Sequence, residues 1–179
     1  MNTRLFIAID LPEEIKKELS GLSFGIPGAR WVPADQLHLT LRFIGEVDGF
    51  MFQKIRDLLE LIPADPFDFR LREFGCFPPR KEPRVLWIGV EPKDQLIALR
   101  NRIETALLRN GLEPEGRKYT PHITIARLQG TPISRLTNFM AGNNLYSSPI
   151  FRVEAFQLYS STLSAKGAIH KVEASYQFN

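Results

Sequence analysis

The tetrapeptide His38-Leu39-Thr40-Leu41 has a counterpart in the second half of the chain, His122-Ile123-Thr124-Ile125. Both tetrapeptides are rich in residues that favour β-strands. Because side chains two positions apart in a strand lie on the same face, each histidine should share one face with its threonine. The aliphatic residues between them should then point into the core. The two tetrapeptides therefore predict a pair of similar strands, each with one polar and one apolar face.

The elements around the two tetrapeptides follow the same order in both halves of the sequence. Hydrophobic periodicity predicts strand, helix, strand, helix, strand in each half. The spacing is similar as well: 28 residues separate Asp10 from His38, and 31 separate Glu91 from His122. Chains that alternate helices and strands can show this order by coincidence, but the repeated tetrapeptide favours a duplication. We therefore predict one domain of two repeat halves, approximately 1–80 and 81–179, with a shared site between them.

The individual elements follow from apolar periodicity and from turn residues such as glycine and proline. The predicted helices cover residues 12–22, 51–61, 93–110 and 132–140, and the predicted strands cover residues 5–10, 30–32, 37–45, 67–74, 84–91, 119–128, 151–160 and 169–178.

Composition limits the class of protein. The 179 residues suffice for one domain, or for two small lobes that share a core. The single cysteine, Cys76, excludes an internal disulfide framework and a four-cysteine zinc site. The apolar run at residues 5–9 is too short for a signal peptide or a membrane span, so we expect a cytoplasmic protein without a membrane partner. The net charge is +3, with −1 in residues 1–90 and +4 in residues 91–179, which permits an anionic partner but does not identify one.

Two histidines and two threonines that converge suit the chemistry of a phosphodiester. In-line displacement at phosphorus needs a base on the attacking oxygen and an acid on the leaving oxygen. Histidine titrates near neutral pH, so one imidazole can be neutral while the other is protonated. Threonine hydroxyls can donate to the non-bridging oxygens, where negative charge builds up. The predicted catalytic residues are therefore His38, His122, Thr40 and Thr124. No metal site is predicted, because neither tetrapeptide contains a carboxylate and the cysteine has no partner at metal-ligand spacing.

The paired His-x-Thr motifs resemble those of the 2H phosphoesterase superfamily. The flanking sequence resembles one branch of that superfamily, the RNA 2′,3′-cyclic phosphodiesterases, which are also called 2′-5′ RNA ligases. This resemblance implies an α+β, bilobal fold in which two lobes, related by a pseudo-twofold axis, surround a central cleft. Each lobe would have an antiparallel sheet with flanking helices. The resemblance runs over nearly the whole chain, and its segments are residues 4–12, 30–33, 37–46, 84–90 and 121–127.

The resemblance also implies an activity, namely hydrolysis of an RNA or nucleotide 2′,3′-cyclic phosphate to a 2′-phosphomonoester without a cofactor. In the family's roles, His38 would donate a proton to the leaving 3′ oxygen and His122 would activate water, while Thr40 and Thr124 would hold the phosphate oxygens. The same site run in reverse would join RNA ends by a 2′-5′ bond without ATP. From the residues alone, either histidine could be the acid. We expect the protein to be a monomer.

Three further residues are candidates for substrate binding. Arg42 continues the period-two face of the first tetrapeptide, so it either lines the rim of the cleft or is a solvated arginine at the end of a strand. Arg127 lies three residues after Thr124, so a regular strand would place its side chain on the face opposite to that of Thr124. The resemblance nevertheless implies an arginine near the phosphate at this position. A β-bulge would reconcile the two. Phe43 holds the matching position in the first half, where it either stacks on a base or packs in the core.

Other aromatic and histidine residues are less informative. Trp31 and Tyr119 flank the tetrapeptides, and each either stacks on a base or packs in the core. His170 is followed by valine rather than threonine at the second position, so it is predicted to be a surface or strand histidine outside the site. Two other functions remain open. One is an RNA- or nucleotide-binding module without turnover, and the other is a metal-dependent hydrolase that uses His38 and His122 as ligands.

Overall fold

The computed structural model describes all 179 residues and contains four α-helices and nine β-strands. The helices are α1 (Glu13–Leu22), α2 (Gly49–Leu59), α3 (Asp94–Arg109) and α4 (Ile133–Gly142). The strands are β1 (Thr3–Asp10), β2 (Ala29–Trp31), β3 (His38–Val47), β4 (Phe67–Phe77), β5 (Val85–Glu91), β6 (Ile123–Leu128), β7 (Phe151–Val153), β8 (Ala155–Ser164) and β9 (Gly167–Gln177). None of the helices has the length and apolar character that a membrane-spanning helix requires.

The strands form two antiparallel sheets, which confirms the predicted α+β class. One sheet has four strands in the order β3-β1-β8-β9, and the other has five in the order β2-β6-β5-β4-β7. The strands that carry the two tetrapeptides hold equivalent places, since β3 lies beside β1 and β6 lies beside β5. The two histidine strands, β3 and β6, also contact each other, which brings the two sheets together along these strands.

The two sheets do not follow the two halves of the sequence. β4 belongs to the first half but pairs with β5, and β8 belongs to the second half but pairs with β1. Each half therefore gives its long later strand to the sheet of the other half. The short strand β2 also crosses over and pairs with β6. The repeat halves remain a prediction from the sequence, and a boundary near residue 80 does not separate the two sheets.

One face of each sheet packs into a common core. A single cluster of 31 buried apolar residues joins both sheets and all four helices. The aliphatic residues of the two tetrapeptides belong to this cluster and are at most 2% exposed, which confirms that they face the core: Leu39, Leu41, Ile123 and Ile125. The opposite face of the four-stranded sheet carries a small separate cluster of Phe6, Ala8 and Tyr159. His38 and Thr40, the polar residues of the first tetrapeptide, lie on this same face of the four-stranded sheet, opposite the main core.

Two predicted strands differ from the structure. The strand predicted over 151–160 is interrupted at Glu154, and its two parts, β7 and β8, belong to different sheets. At this point the chain crosses from one sheet to the other, which apolar alternation alone does not reveal. The strand predicted from Tyr119 begins only at Ile123. Pro121 has no backbone N–H to give to a strand ladder, so regular pairing starts after it.

Candidate active site

The two histidines have the same local geometry. His38 begins β3, and His122 directly precedes β6. The Nδ1 atom of each ring lies 2.7 Å from the backbone carbonyl oxygen two residues upstream, that of Gln36 and that of Thr120. Because a carbonyl oxygen can only accept, Nδ1 carries a proton and donates it in both rings. Nε2 is left as the atom that can accept a proton in the neutral ring or give one from the charged ring.

A β-bulge inside the first tetrapeptide decides which residues of β3 accompany His38. Thr40 pairs with Ala8 of β1, whereas Phe43, three residues later, pairs with Phe6. Cross-strand partners share a face, so the extra residue of the bulge places Thr40 and Phe43 on the same side. The ring of Phe6 lies 5.0 Å from that of His38 and 6.0 Å from that of Phe43. Phe43 is 58% exposed, so it lies on the histidine side of the sheet and not in the core.

A matching bulge in β6 brings Arg127 to the side of the second histidine. Thr124 pairs with Trp87 of β5, and Arg127 pairs with Val85. Trp87 and Val85 are two residues apart in β5 and share a face, so Thr124 and Arg127 do so too. The ring of Trp87 lies 6.1 Å from that of His122. The bulge reconciles the odd spacing of Arg127 with a place beside the tetrapeptide. We call His38, Thr40 and Phe43 the histidine face of the four-stranded sheet, and His122, Thr124 and Arg127 that of the five-stranded sheet.

The structure places Arg42 in the interior, so the predicted position at the rim or in solvent is wrong. The bulge turns Arg42 away from the histidine face, and its side chain is only 5% exposed. Its guanidinium donates to the carboxylate of Glu104 in α3 and to the backbone carbonyls of Phe43 and Glu113. Glu115 lies 3.9 Å away. Arg42 therefore joins β3 to α3 and to the loop that leads into the second tetrapeptide.

Tyr119 connects the two tetrapeptides directly. Its hydroxyl donates to the backbone carbonyl of Thr40 at 3.0 Å. The guanidinium of Arg100 lies over its ring, 5.2 Å from the centroid, and also lies 3.7 Å from Glu115. Burial raises the pKa of the Tyr119 hydroxyl, so it remains a donor at neutral pH. The segment three residues before His122 is thereby held against the backbone of the first histidine strand. Tyr119 thus has a structural contact and is not free to stack on a base.

The surroundings of His38 include a third histidine. The ring of His170 in β9 lies 5.2 Å from that of His38 and 4.8 Å from that of Phe6. Sequence reasoning did not predict this position, because no threonine follows His170. Its place beside His38 depends on the register of β9 on β8 and of β8 on β1, which no local pattern encodes.

Burial lowers the pKa of His38 to about 4, so this ring is neutral at pH 7 in the free protein. The positive charges of His170 and Lys16 lower the pKa further, while the Gln36 carbonyl and the carboxylate of Asp10 oppose them. Asp10 is itself held by Lys16, with 2.8 Å between its carboxylate and the ammonium. Burial also lowers the pKa of His170. No group of three or more His, Cys, Asp or Glu side chains is arranged to hold a metal ion.

The geometry of this site agrees with a comparison to known families. The model of the 2′-5′ RNA ligase superfamily matches residues 11–164. The chain belongs to the 2′-5′ RNA ligase superfamily. This confirms the resemblance that the paired tetrapeptides and their flanking segments indicate.

Curated relatives and solved structures match this superfamily member over nearly its whole length. An RNA 2′,3′-cyclic phosphodiesterase of Thermotoga maritima is 37% identical over 182 residues, covering 98% of this chain and 95% of its own. The RNA 2′,3′-cyclic phosphodiesterase of Methanocaldococcus jannaschii is 33% identical, and the match covers 94% of this chain and 97% of the relative. The crystal structure of TT0787 from Thermus thermophilus has a TM-score of 0.82 at 28% identity and covers 98% and 97%. Escherichia coli LigT, crystallised with 3′-AMP, has a TM-score of 0.80 at 28% identity and covers 100% and 99%.

Replacing Arg42 by methionine should lower the free energy of unfolding by about 3 kcal/mol, because Glu104 stays buried without its nearest cation. The double variant Arg42→Met, Glu104→Leu should recover most of this loss. Urea denaturation measures both. Arg4→Met is the matched control, since Arg4 forms an exposed pair with Glu46 at 3.6 Å and should cost less than about 1 kcal/mol. An Arg42→Met variant as stable as this control would contradict the assignment.

Replacing His170 by phenylalanine should raise the pKa of His38. A phenyl ring keeps the packing against Phe6 but carries no charge, so one cause of the low pKa is removed while burial remains. The pKa should therefore rise from about 4 but stay below about 6.5. NMR titration of the His38 ring measures it. Lys171→Gln is the control, because Lys171 pairs with Glu173 at 3.5 Å and should leave the titration unchanged. An unchanged or lower pKa in His170→Phe would contradict the expectation.

Proposed function

We propose that the protein hydrolyses the 2′,3′-cyclic phosphate at the end of an RNA to a 2′-phosphomonoester. In this proposal His38 and His122 form an acid–base pair that needs no metal or other cofactor. The main support is the matched geometry of the two rings, in which Nδ1 donates to a carbonyl and Nε2 is left for proton transfer. The relatives named RNA 2′,3′-cyclic phosphodiesterase support the same substrate. The cytoplasmic location and the monomeric state stay predictions.

In the proposed reaction, water attacks phosphorus on the side opposite the 3′ oxygen. Nε2 of His122 takes the proton of the water while the new P–O bond forms. The bond from phosphorus to the 3′ oxygen breaks, and this oxygen takes the proton from Nε2 of His38. The product carries a 2′-phosphate and a free 3′-hydroxyl. Solvent then takes the proton from His122, and His38, which is neutral in the free protein, takes up a proton again when the next substrate binds.

The threonines and Arg127 would stabilise the charge on phosphorus. Thr40 and Thr124 share a face with their histidines, so their hydroxyls can donate to the non-bridging oxygens. Arg127 is exposed on the same face as Thr124, and its guanidinium suits a phosphate because it offers paired donors. Phe43 is exposed near the ring of Phe6 and offers a surface on which a base can stack. Run in reverse, with a 5′-hydroxyl in place of water, the same groups would form a 2′-5′ bond without ATP.

The donor role of His38 requires that substrate binding changes its protonation. In the free protein this ring is neutral at pH 7, because its pKa is about 4. A bound phosphate anion favours the charged ring and opposes the effects of burial and of His170. Binding of the substrate would therefore convert His38 into the protonated form that can act as the acid.

The decisive experiment measures turnover of adenosine 2′,3′-cyclic monophosphate in the presence of EDTA and identifies the product. We expect 2′-AMP as the sole product. His38→Ala and His122→Ala should each lower kcat/KM by about 10²- to 10⁴-fold, and Thr40→Val and Thr124→Val by about tenfold. Thr105→Val, on the exposed side of α3, is the matched control and should keep full activity.

Each alternative gives a different result in this experiment. A 3′-phosphate product would overturn the assigned direction of attack. Activity that EDTA removes would indicate a metal-dependent hydrolase. Binding without turnover in the wild-type protein would indicate a nucleotide-binding module, and the histidine variants would then bind as the wild type does.

The pKa of His38 should rise when 2′-AMP occupies the site. The phosphate of the product places negative charge beside Nε2, so the pKa should move from about 4 in the free protein towards or above about 6.5. NMR titration at saturating 2′-AMP measures the change. Adenosine is the control, because it fills the nucleoside position without the charge. Equal pKa values with 2′-AMP and with adenosine would place the phosphate away from His38.

A further inference from the structure

Two arginines lie directly opposite each other beside the second tetrapeptide. Arg30 of β2 is the cross-strand partner of Arg127 of β6. Both are exposed, and neither has an acidic partner within ion-pair distance. Like charges opposite each other on neighbouring strands destabilise a sheet. This unpaired couple is an arrangement that an anion would stabilise.

Arg30 projects from the histidine face of the five-stranded sheet. As the partner of Arg127 it shares that residue's face, which the bulge of β6 also makes the face of Thr124. The next residue, Trp31, points to the opposite side, where its ring lies 5.8 Å from that of Phe139 in α4. The guanidinium of Arg30 is therefore one strand further from the histidines than that of Arg127, on the same surface.

The turn between β8 and β9 approaches Arg30 from the four-stranded sheet. Gly167, the first residue of β9 after this turn, has a φ of +120°, and a Cβ atom there would lie 2.8 Å from Nη2 of Arg30. The missing side chain thus leaves room for the guanidinium. Lys166, the neighbouring residue, is exposed. The turn therefore passes close to the guanidinium of Arg30 and carries a third positive residue next to this point of approach.

We propose that Arg30, assisted by Lys166, binds the phosphate that links the terminal nucleotide of the RNA to the preceding nucleotide. This rests on the proposed function, in which the reacting cyclic phosphate lies at the histidines, the threonines and Arg127. The linking phosphate belongs to the neighbouring position along the strand, as Arg30 is the neighbour of Arg127. Arginine suits this task because its planar group binds two phosphate oxygens at once. The subsite makes an RNA end a better substrate than a mononucleoside cyclic phosphate, which has no second phosphate.

The test compares three substrates in the wild-type protein and in Arg30→Gln. They are adenosine 2′,3′-cyclic monophosphate, a diadenosine with a phosphate linkage and a terminal cyclic phosphate, and the same dinucleotide with a neutral methylphosphonate linkage. Arg30→Gln should raise KM for the charged dinucleotide about twofold to fivefold, as for the loss of one exposed ion pair. It should leave kcat, and both parameters for the other two substrates, unchanged. The slope of log KM against log salt for the charged dinucleotide should fall by about 0.7.

Two further variants guard against a general effect on the fold. Arg30→Lys keeps the charge and should recover part of the affinity. Arg152→Gln removes an exposed arginine from β7, at the opposite edge of the same sheet, and should change none of the three KM values. An equal loss on all three substrates, or an unchanged KM for the charged dinucleotide, would overturn the proposed subsite.

Failure of the proposed function gives a separate result. It would appear as a wild-type protein that turns over none of the three substrates. The subsite is then tested by affinity alone, with the two dinucleotides as probes in fluorescence titrations. Tighter binding of the charged dinucleotide that Arg30→Gln removes would support the subsite, and equal binding of the two would overturn it.

Discussion

The exchange of β4 and β8 between the two sheets determines where the two histidines lie. β4 pairs along β5 and β8 pairs along β1, so each histidine strand is attached to a sheet built partly from the other half of the chain. Moving β3 away from β6 would break its backbone hydrogen bonds to β1, and moving β6 would break those to β5 and β2. The buried groups so freed have no other partner in the interior. A shared core of 31 residues adds to this constraint. In the proposed reaction, two proton-transfer groups act on one phosphate and need such a fixed relation, since small displacements reduce the rate strongly.

Polar contacts on the side of β3 opposite His38 also fix the position of the two histidines relative to each other. Arg42, Glu104 and Glu115 form a buried group of charges between β3, α3 and the loop before His122. Tyr119 extends it to the backbone of Thr40. Burying charges is costly unless each has a partner, and apolar residues of similar volume would often be as stable. Directional bonds fix the distance between β3 and this loop in a way that apolar packing cannot, because packing tolerates sliding.

Much of the candidate site could be predicted from the sequence. The parts that could not be predicted depend on how the strands pair and where their register shifts. The tetrapeptides themselves predict which side chains share a face, and the burial of Leu39 and Ile123 agrees. The prediction for Arg42 was wrong, because a single-residue bulge between Thr40 and Arg42 reverses the sides on which Arg42 and Phe43 lie. The same kind of bulge brings Arg127 to its histidine. The sequence around a bulge has no distinctive composition here. Local sequence patterns also give no sign of the exchange of strands between sheets. For this reason the sequence predicted one strand where the structure has β7 and β8.

Two nearly identical tetrapeptides end in different surroundings, and this difference distinguishes the two histidines. His38 packs against Phe6, with Tyr159 and His170 also within reach of its ring. His122 packs edge-on against Phe77 at 5.1 Å, with no second imidazole beside it. Tyr159 and His170 lie on β8 and β9, so part of the surroundings that lower the pKa of His38 comes from the second half of the chain. The two tetrapeptides are alike in sequence, and the strands that pack against them make their surroundings different. In the proposed reaction this difference means that His38, neutral in the free protein, gains its proton only when an anionic substrate is bound.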